Sequence, residues 1–124
     1  MSAEPRIVDL NQLAWQAHPT LAGVQTQIIE TATTHGQSDV LMGQIAPGGG
    51  IPWHVHPDAS ETAYVVQGKG EFLYAPSQAG IDAATSVPIT RGVVLTVHAG
   101  WWHAVNNTGD DPMLLYAFHT PPTF

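Results

Sequence analysis

Residues 48–68 read GGGIPWHVHPDASETAYVVQG, from Gly48 to Gly68. The three opening glycines exclude regular structure through their run and permit tight or positive-φ turns. A short strand is expected at residues 53–56, and a stronger one at residues 61–67, ETAYVVQ. Alternate side chains of a strand share a face, so His54 and His56 project to one side. That spacing suits two ligands on one ion. Residues 57–60 turn the chain, and Glu61 on the next strand then completes a two-histidine, one-carboxylate face with open coordination positions. Alone, an H-x-H pair is a weak sign, because most such pairs lie on a solvated strand face. A third imidazole, His103, would come from a distant strand lying alongside in a closed barrel.

Further strands are expected at residues 24–31, 40–46, 71–74, 87–90, 93–98, 103–106 and 113–119, where β-branched and aromatic residues cluster. Gly68-Lys69-Gly70 reads as a hairpin turn joining residues 61–67 to 71–74. Residues 75–86 read as a surface loop and 107–112 as a turn. Residues 7–16 fit a strand or a short helical turn equally, and His18-Pro19 breaks them. The ending, residues 121–124, cannot continue a sheet. Nine or ten short strands, with turn signals every ~8–12 residues, indicate an all-β sandwich or barrel. With no internal repeat and no linker, residues 1–124 are expected to form a single domain.

Composition narrows the partners. The formal net charge is -7, and Arg6, Lys69 and Arg91 are the only basic side chains apart from histidine. A nucleic-acid binder needs clustered Lys and Arg to displace counterions, so no nucleic acid is expected. An anionic membrane surface is disfavoured for the same reason. A multiply phosphorylated substrate would need the metal itself to hold the phosphate. No cysteine is present, which removes disulfides and thiolate metal sites. Residues 1–9 lack an apolar signal core, and no apolar run approaches the ~18–20 residues that span a bilayer. A soluble, cytoplasmic protein is expected.

Two motifs resemble those of the cupin superfamily. The first, G-x5-H-x-H-x4-E-x6-G, is met by Gly48, His54, His56, Glu61 and Gly68. The second, G-x5-P-x-G-x2-H-x3-N, is met by Gly92, Gly100, His103 and Asn107, with His98 where the family usually carries proline. Together they span about half of the chain. The resemblance implies a double-stranded β-helix (jelly-roll) barrel. It also implies one divalent transition metal, held by His54, His56, Glu61 and His103. The donor types suit Fe, Mn, Ni, Co, Cu or Zn, with Fe(II) favoured.

Three chemistries remain open to such a site, since fold does not give function. The first is a dioxygenase, an oxidoreductase resembling flavonol and acireductone dioxygenases, acting on a small neutral or enol-like substrate. Glu61 would then be both ligand and general base. The second is a redox-neutral isomerase, cyclase or lyase, with the metal as Lewis acid and His98, His119 or Tyr116 as a pocket base. The third is a metal- or ligand-binding module without turnover. His98 is the further catalytic candidate, as a proton carrier, or it merely caps a turn. His119 faces the cavity or is an exposed or hydrogen-bonded strand residue. Strand parity places Trp53 and Trp102 on the outer face and Trp101 toward the cavity mouth. Tyr64, Phe72, Tyr74, Tyr116 and Phe118 read as core. His18 reads as exposed, as do Asp58 and Glu71. Edge strands, together with Leu10, Leu13 and Trp15 in the N-terminal segment, favour a homodimer.

Overall fold

The computed structural model describes residues 4–18 and 21–123. Pro19 of the expected break, Phe124 of the C-terminal segment and residues 1–3 lie outside them. The described residues form ten strands: β1 (Gln16–Ala17), β2 (Val24–Glu30), β3 (Asp39–Ile45), β4 (Gly50–Val55), β5 (Ser60–Gln67), β6 (Lys69–Ala75), β7 (Thr85–Thr90), β8 (Val94–Val97), β9 (Trp102–Asn107) and β10 (Met113–Thr120). Short 3-10 turns occupy Ala32–Thr34 and Gln78–Ala83. One sheet runs β1-β2-β3-β10-β5-β8 and the other β4-β9-β6-β7, with every pairing antiparallel. This is an all-β jelly roll, the architecture that the resemblance implies. Its sheets meet over a core in which Ile45, Val65, Ile89 and Met113 are fully buried. Each such side chain contributes about 1.5–3 kcal/mol by leaving water.

The expected hairpin at Gly68 does not exist. β5 lies between β10 and β8 in the larger sheet, while β6 lies between β9 and β7 in the smaller one. Gly68, with φ +94°, is therefore the corner where the chain passes from one sheet to the other. A Cβ there would press on the backbone of Met113 at 3.0 Å. Gly70, two residues on, packs so closely on β9 that a Cβ would overlap the Asn106 carbonyl oxygen. Both glycines serve inter-sheet geometry, which a local turn rule does not capture.

Asn107, the last residue of the second motif, ties strand ends together. Its amide donates to the carbonyls of Ile45 at 3.0 Å and Asp111 at 2.9 Å, and its oxygen accepts from Gly109 N–H at 2.9 Å. The N-terminal segment has little regular structure before β1. It crosses the outer face of β2, where the buried Gln27 amide donates to the carbonyls of Leu10 at 2.9 Å and Leu13 at 2.7 Å. Arg6 joins Glu30 at 3.2 Å on the same strand. Leu10, Leu13 and Trp15 are thus half-buried within the chain itself. Residues 75–86 are not a plain loop either, since the second 3-10 turn and the start of β7 fall there.

Candidate metal centre

The first expected ligand strand contains a bulge that sets which way its side chains face. β4 pairs with β9 as Gly50↔Asn106 and Ile51↔Val105, and then as His54↔His103 and Val55↔Trp102. Two residues, Pro52 and Trp53, thus oppose Ala104 alone. Pro52 has no N–H to give the ladder, and the strand bulges there. The bulge reverses strand parity. Ile51 faces the cavity before it, and His54 and His56 face the cavity after it. Unbroken alternation from Ile51 would send Trp53 inward and both histidines out.

β9 brings His103 directly opposite His54, and β5 brings Glu61 from the other sheet. One donor atom from each of His54, His56, Glu61 and His103 lies within 4.8 Å of the others. Ligands about 2.0–2.2 Å from a shared ion stand at most about 4.4 Å apart, so the four fit a divalent ion after only slight closure. Backbone carbonyls set the ring orientations. His54 Nδ1 lies 2.7 Å from Pro52 O, and His103 Nδ1 lies 3.1 Å from Trp101 O. A carbonyl can only accept, so each Nδ1 donates; Nε2 of His54 is thereby left for the ion, and at His103 the ion would take the place of the hydrogen bond from Nε2 to Glu61. His103 Nε2 already stands 2.9 Å from Glu61 Oε2.

The ionisation states suit metal binding. Burial holds His54 below the usual imidazole range, and the charge of His103 adds to the effect. Burial pushes His56 down to about 4, opposed by Glu61 and reinforced by the neighbouring imidazoles. Burial alone would raise Glu61, but hydrogen bonds from His103 and His119 outweigh it and hold the carboxyl well below its ordinary range. At neutral pH the site therefore offers neutral nitrogens from His54 and His56 beside an ionised carboxylate.

These residues sit on the wall of a cavity of about 800 Å³. Away from them the lining is mostly aliphatic, including Leu21, Ile28, Leu41, Ile51, Leu95 and Leu115. No lysine or arginine lines it. The Nδ1 of His18 accepts the Leu21 N–H at 3.2 Å at this rim. The residue is half-buried there, where the sequence suggested an exposed one.

His98 is not brought to the site. It is exposed, and its carbonyl accepts the Trp101 N–H at 3.3 Å. It is absent from the cavity lining, so geometry gives it no part in proton transfer there. Tyr116 is excluded as a pocket base for another reason. β10 turns Met113, Leu115, Ala117 and His119 inward, and Tyr116 faces out opposite Tyr64. Phe118 shares that outer face, so neither it nor Tyr64 belongs to the core. Trp101 is exposed, packing edge-on to Tyr74 at 6.1 Å. It precedes β9 in a turn, and strand parity does not reach it. Trp53 and Trp102 do stack on each other, at 6.2 Å.

His119 resolves toward the cavity. Its Nε2 lies 3.3 Å from Glu61 Oε1, and its Nδ1 lies 3.5 Å from Asp39 Oδ2. Burial would lower His119, yet the hydrogen bond and charge of Glu61, with those of Asp39, raise it. Asp39 is fully buried and was missed in the sequence. Its one signal there is an acid at the head of an otherwise apolar strand.

The cupin domain family matches residues 41–119, most of the chain and all four candidate ligands. Germin-like protein 5-1 of Oryza sativa subsp. japonica is 41% identical over 73 residues, covering 59% of this chain and 31% of that protein. The uncharacterized protein YrkC of Bacillus subtilis (strain 168) is 28% identical over 120 residues, 96% of this chain and 59% of its own length. The chain thus spans about a third to three fifths of these two relatives. Among solved structures, a predicted oxalate decarboxylase from Thermotoga maritima superposes with a TM-score of 0.79 at 20% identity, covering 94% of this chain and 99% of that one. At that identity the likeness speaks for the fold. Among the described residues, no helix is long and apolar enough to cross a membrane.

Proposed function

The chain belongs to the cupin family, and from that premise we propose that it is a metal-dependent enzyme for small, uncharged or enol-like substrates with an apolar body. The observation that carries this reading is the aliphatic cavity of about 800 Å³, which ends on three imidazoles and a carboxylate and has no lysine or arginine in its lining. His54, His56, Glu61 and His103 would hold the ion. When bound, it supplies Lewis-acid polarisation and, as Fe(II), activation of dioxygen. The apolar walls exclude water and favour a hydrocarbon body. Glu61 would be both ligand and general base, leaving the ion to take a proton from an enolisable carbon or hydroxyl.

Oxidative chemistry, of dioxygenase type, is the favoured form. Oxalate is named for the Thermotoga maritima neighbour, but it is a small dianion with no apolar body, and this mostly aliphatic cavity has no lysine or arginine to pair with it. The test is to load metal-free protein with Fe(II) and follow dioxygen uptake and substrate loss with enolisable diketones and with oxalate. Uptake with the diketones alone is expected. Turnover of oxalate in preference would overturn the proposed substrate class.

A redox-neutral isomerase, cyclase or lyase is the second reading, favoured by one observation: the His119 imidazole beside Glu61 gives the cavity a second group able to carry a proton. Turnover without dioxygen would select it. No turnover under either atmosphere, with one metal bound, would leave a binding module. The proposal includes a homodimer, and light scattering that gives the mass of one chain at every concentration would remove it.

A further inference from the structure

Asp39, His119 and Glu61 stand in one row across three neighbouring strands. The register pairs His119 with Asp39 on β3 and with Glu61 on β5, and all three side chains face inward. The contacts follow the row. Thr123 donates to Asp39 Oδ2 through both its N–H and its hydroxyl, each at 2.6 Å. The same oxygen lies 3.5 Å from His119 Nδ1, and His119 Nε2 lies 3.3 Å from Glu61 Oε1. The two oxygens of Glu61 are thereby divided. Oε1 faces His119, while Oε2 faces the other imidazoles, 2.9 Å from His103 Nε2 and 3.8 Å from His56 Nε2.

Burying a carboxylate and an imidazole behind a ligand costs free energy that an apolar pair would not. The row therefore calls for a role beyond packing. We propose that Asp39 and His119 are a positioning pair that holds Glu61 with Oε2 alone toward the ion, so that a coordination position stays open for substrate. An unheld carboxylate can rotate and present both oxygens, which closes that position. Thr123 and Asp39 fix the ring, and the ring fixes the carboxylate. The inference rests on the metal-binding reading of His54, His56, Glu61 and His103.

Cobalt(II) is the probe, because its visible absorption weakens as its coordination number rises. The chain and its His119→Leu, His119→Gln and Asp39→Asn variants are titrated with Co(II) against a chromophoric chelator, and their spectra recorded. Loss of the donor in His119→Leu is expected to weaken Co(II) binding by about tenfold and to lower its visible absorption. Gln keeps an N–H near the ring's Nε2, so His119→Gln is expected to restore both affinity and spectrum. Asp39→Asn is expected to move the spectrum in the direction of His119→Leu. A His119→Leu spectrum and affinity equal to wild type would overturn the proposal. So would a His119→Gln variant that matches His119→Leu, because the imidazole would then act as a ligand or as packing. If His119→Leu does not fold, Asp39→Asn decides, and its identity to wild type overturns the pair. Wild-type protein that takes up no Co(II) defeats the metal reading itself, whereas normal uptake with unmoved variants defeats this inference alone.

Discussion

His54 and His103 stand directly opposite each other on β4 and β9, with ring centroids 4.1 Å apart. Each has its Nδ1 on a backbone carbonyl two residues earlier, Pro52 or Trp101. The same local device thus aims two imidazoles from different strands at one point. Replacing His54, His56 or His103 with alanine is expected to reduce bound metal at least about tenfold. Glu61→Gln should bind more weakly while retaining some metal, since three imidazoles remain. Elemental analysis of each purified variant checks this, and near-stoichiometric metal in any alanine variant removes that residue from the ligand set.

The Pro52 bulge yields a sharper prediction. Deleting Pro52 removes the extra residue, so Trp53 alone opposes Ala104 and His54 still faces His103. Metal binding is therefore expected to persist. Deleting Pro52 and Trp53 together instead shifts the alternation by one, which turns His54 and His56 outward, and metal binding is expected to vanish while the far-ultraviolet circular dichroism stays that of a β-protein. Loss of metal in the single deletion, or its retention at the wild-type level in the double, would mean that the bulge does not aim the ligands.

The pH dependence has a definite sign. His54 and His56 have lowered pKa values in the fold, the second about 4, against ~6.5 for a free imidazole. The unfolded chain therefore binds more protons between those limits. Metal-free protein should lose stability as pH falls from ~6.5 toward 4, with His56 contributing to the loss. Glu61, also lowered, adds a further loss below ~4.5. His119 is raised and acts in the opposite sense: its contribution is full below ~6.5 and fades as pH rises through its folded pKa. Urea unfolding of chelator-treated protein across pH 4–8 checks this. In His56→Gln the acid-side loss should shrink, and an unchanged slope would assign it elsewhere.

Two strand glycines should respond differently to alanine. A Cβ at Gly70 meets the Asn106 carbonyl and the end of Met113, whereas a Cβ at Gly43 meets nothing within 4 Å because it enters the cavity. Gly70→Ala should cost about 1–3 kcal/mol. Gly43→Ala should leave stability unchanged or raise it by about 0.4–1 kcal/mol, by restricting the unfolded chain. Thermal melts of the two variants check the contrast, and equal losses would contradict the packing described around β6 and β9.

Much of this protein was readable along the chain. Strand alternation, the punctuation by Gly and Pro, and the spacing of His54, His56, Glu61 and His103 are local facts, and they pointed to the barrel and the donor set. The scarcity of basic side chains likewise carried over to a cavity lined by no lysine or arginine. Other features depended on which strands become neighbours. Gly68 looked like a hairpin because two strands flank it, yet β5 and β6 find their partners in opposite sheets. His54 and His56 share a face by alternation, but which face was decided by the bulge at Pro52, a property of pairing with β9. His98 stood in a motif and fell outside the site. His119 and Asp39 stood outside both motifs, 80 positions apart in the chain, and the β3–β10–β5 register set them beside Glu61. Residue type and spacing determine which chemistry a chain can offer. Long-range register decides which of those groups meet, because the free energy that selects it comes from burying the whole inner face of each sheet.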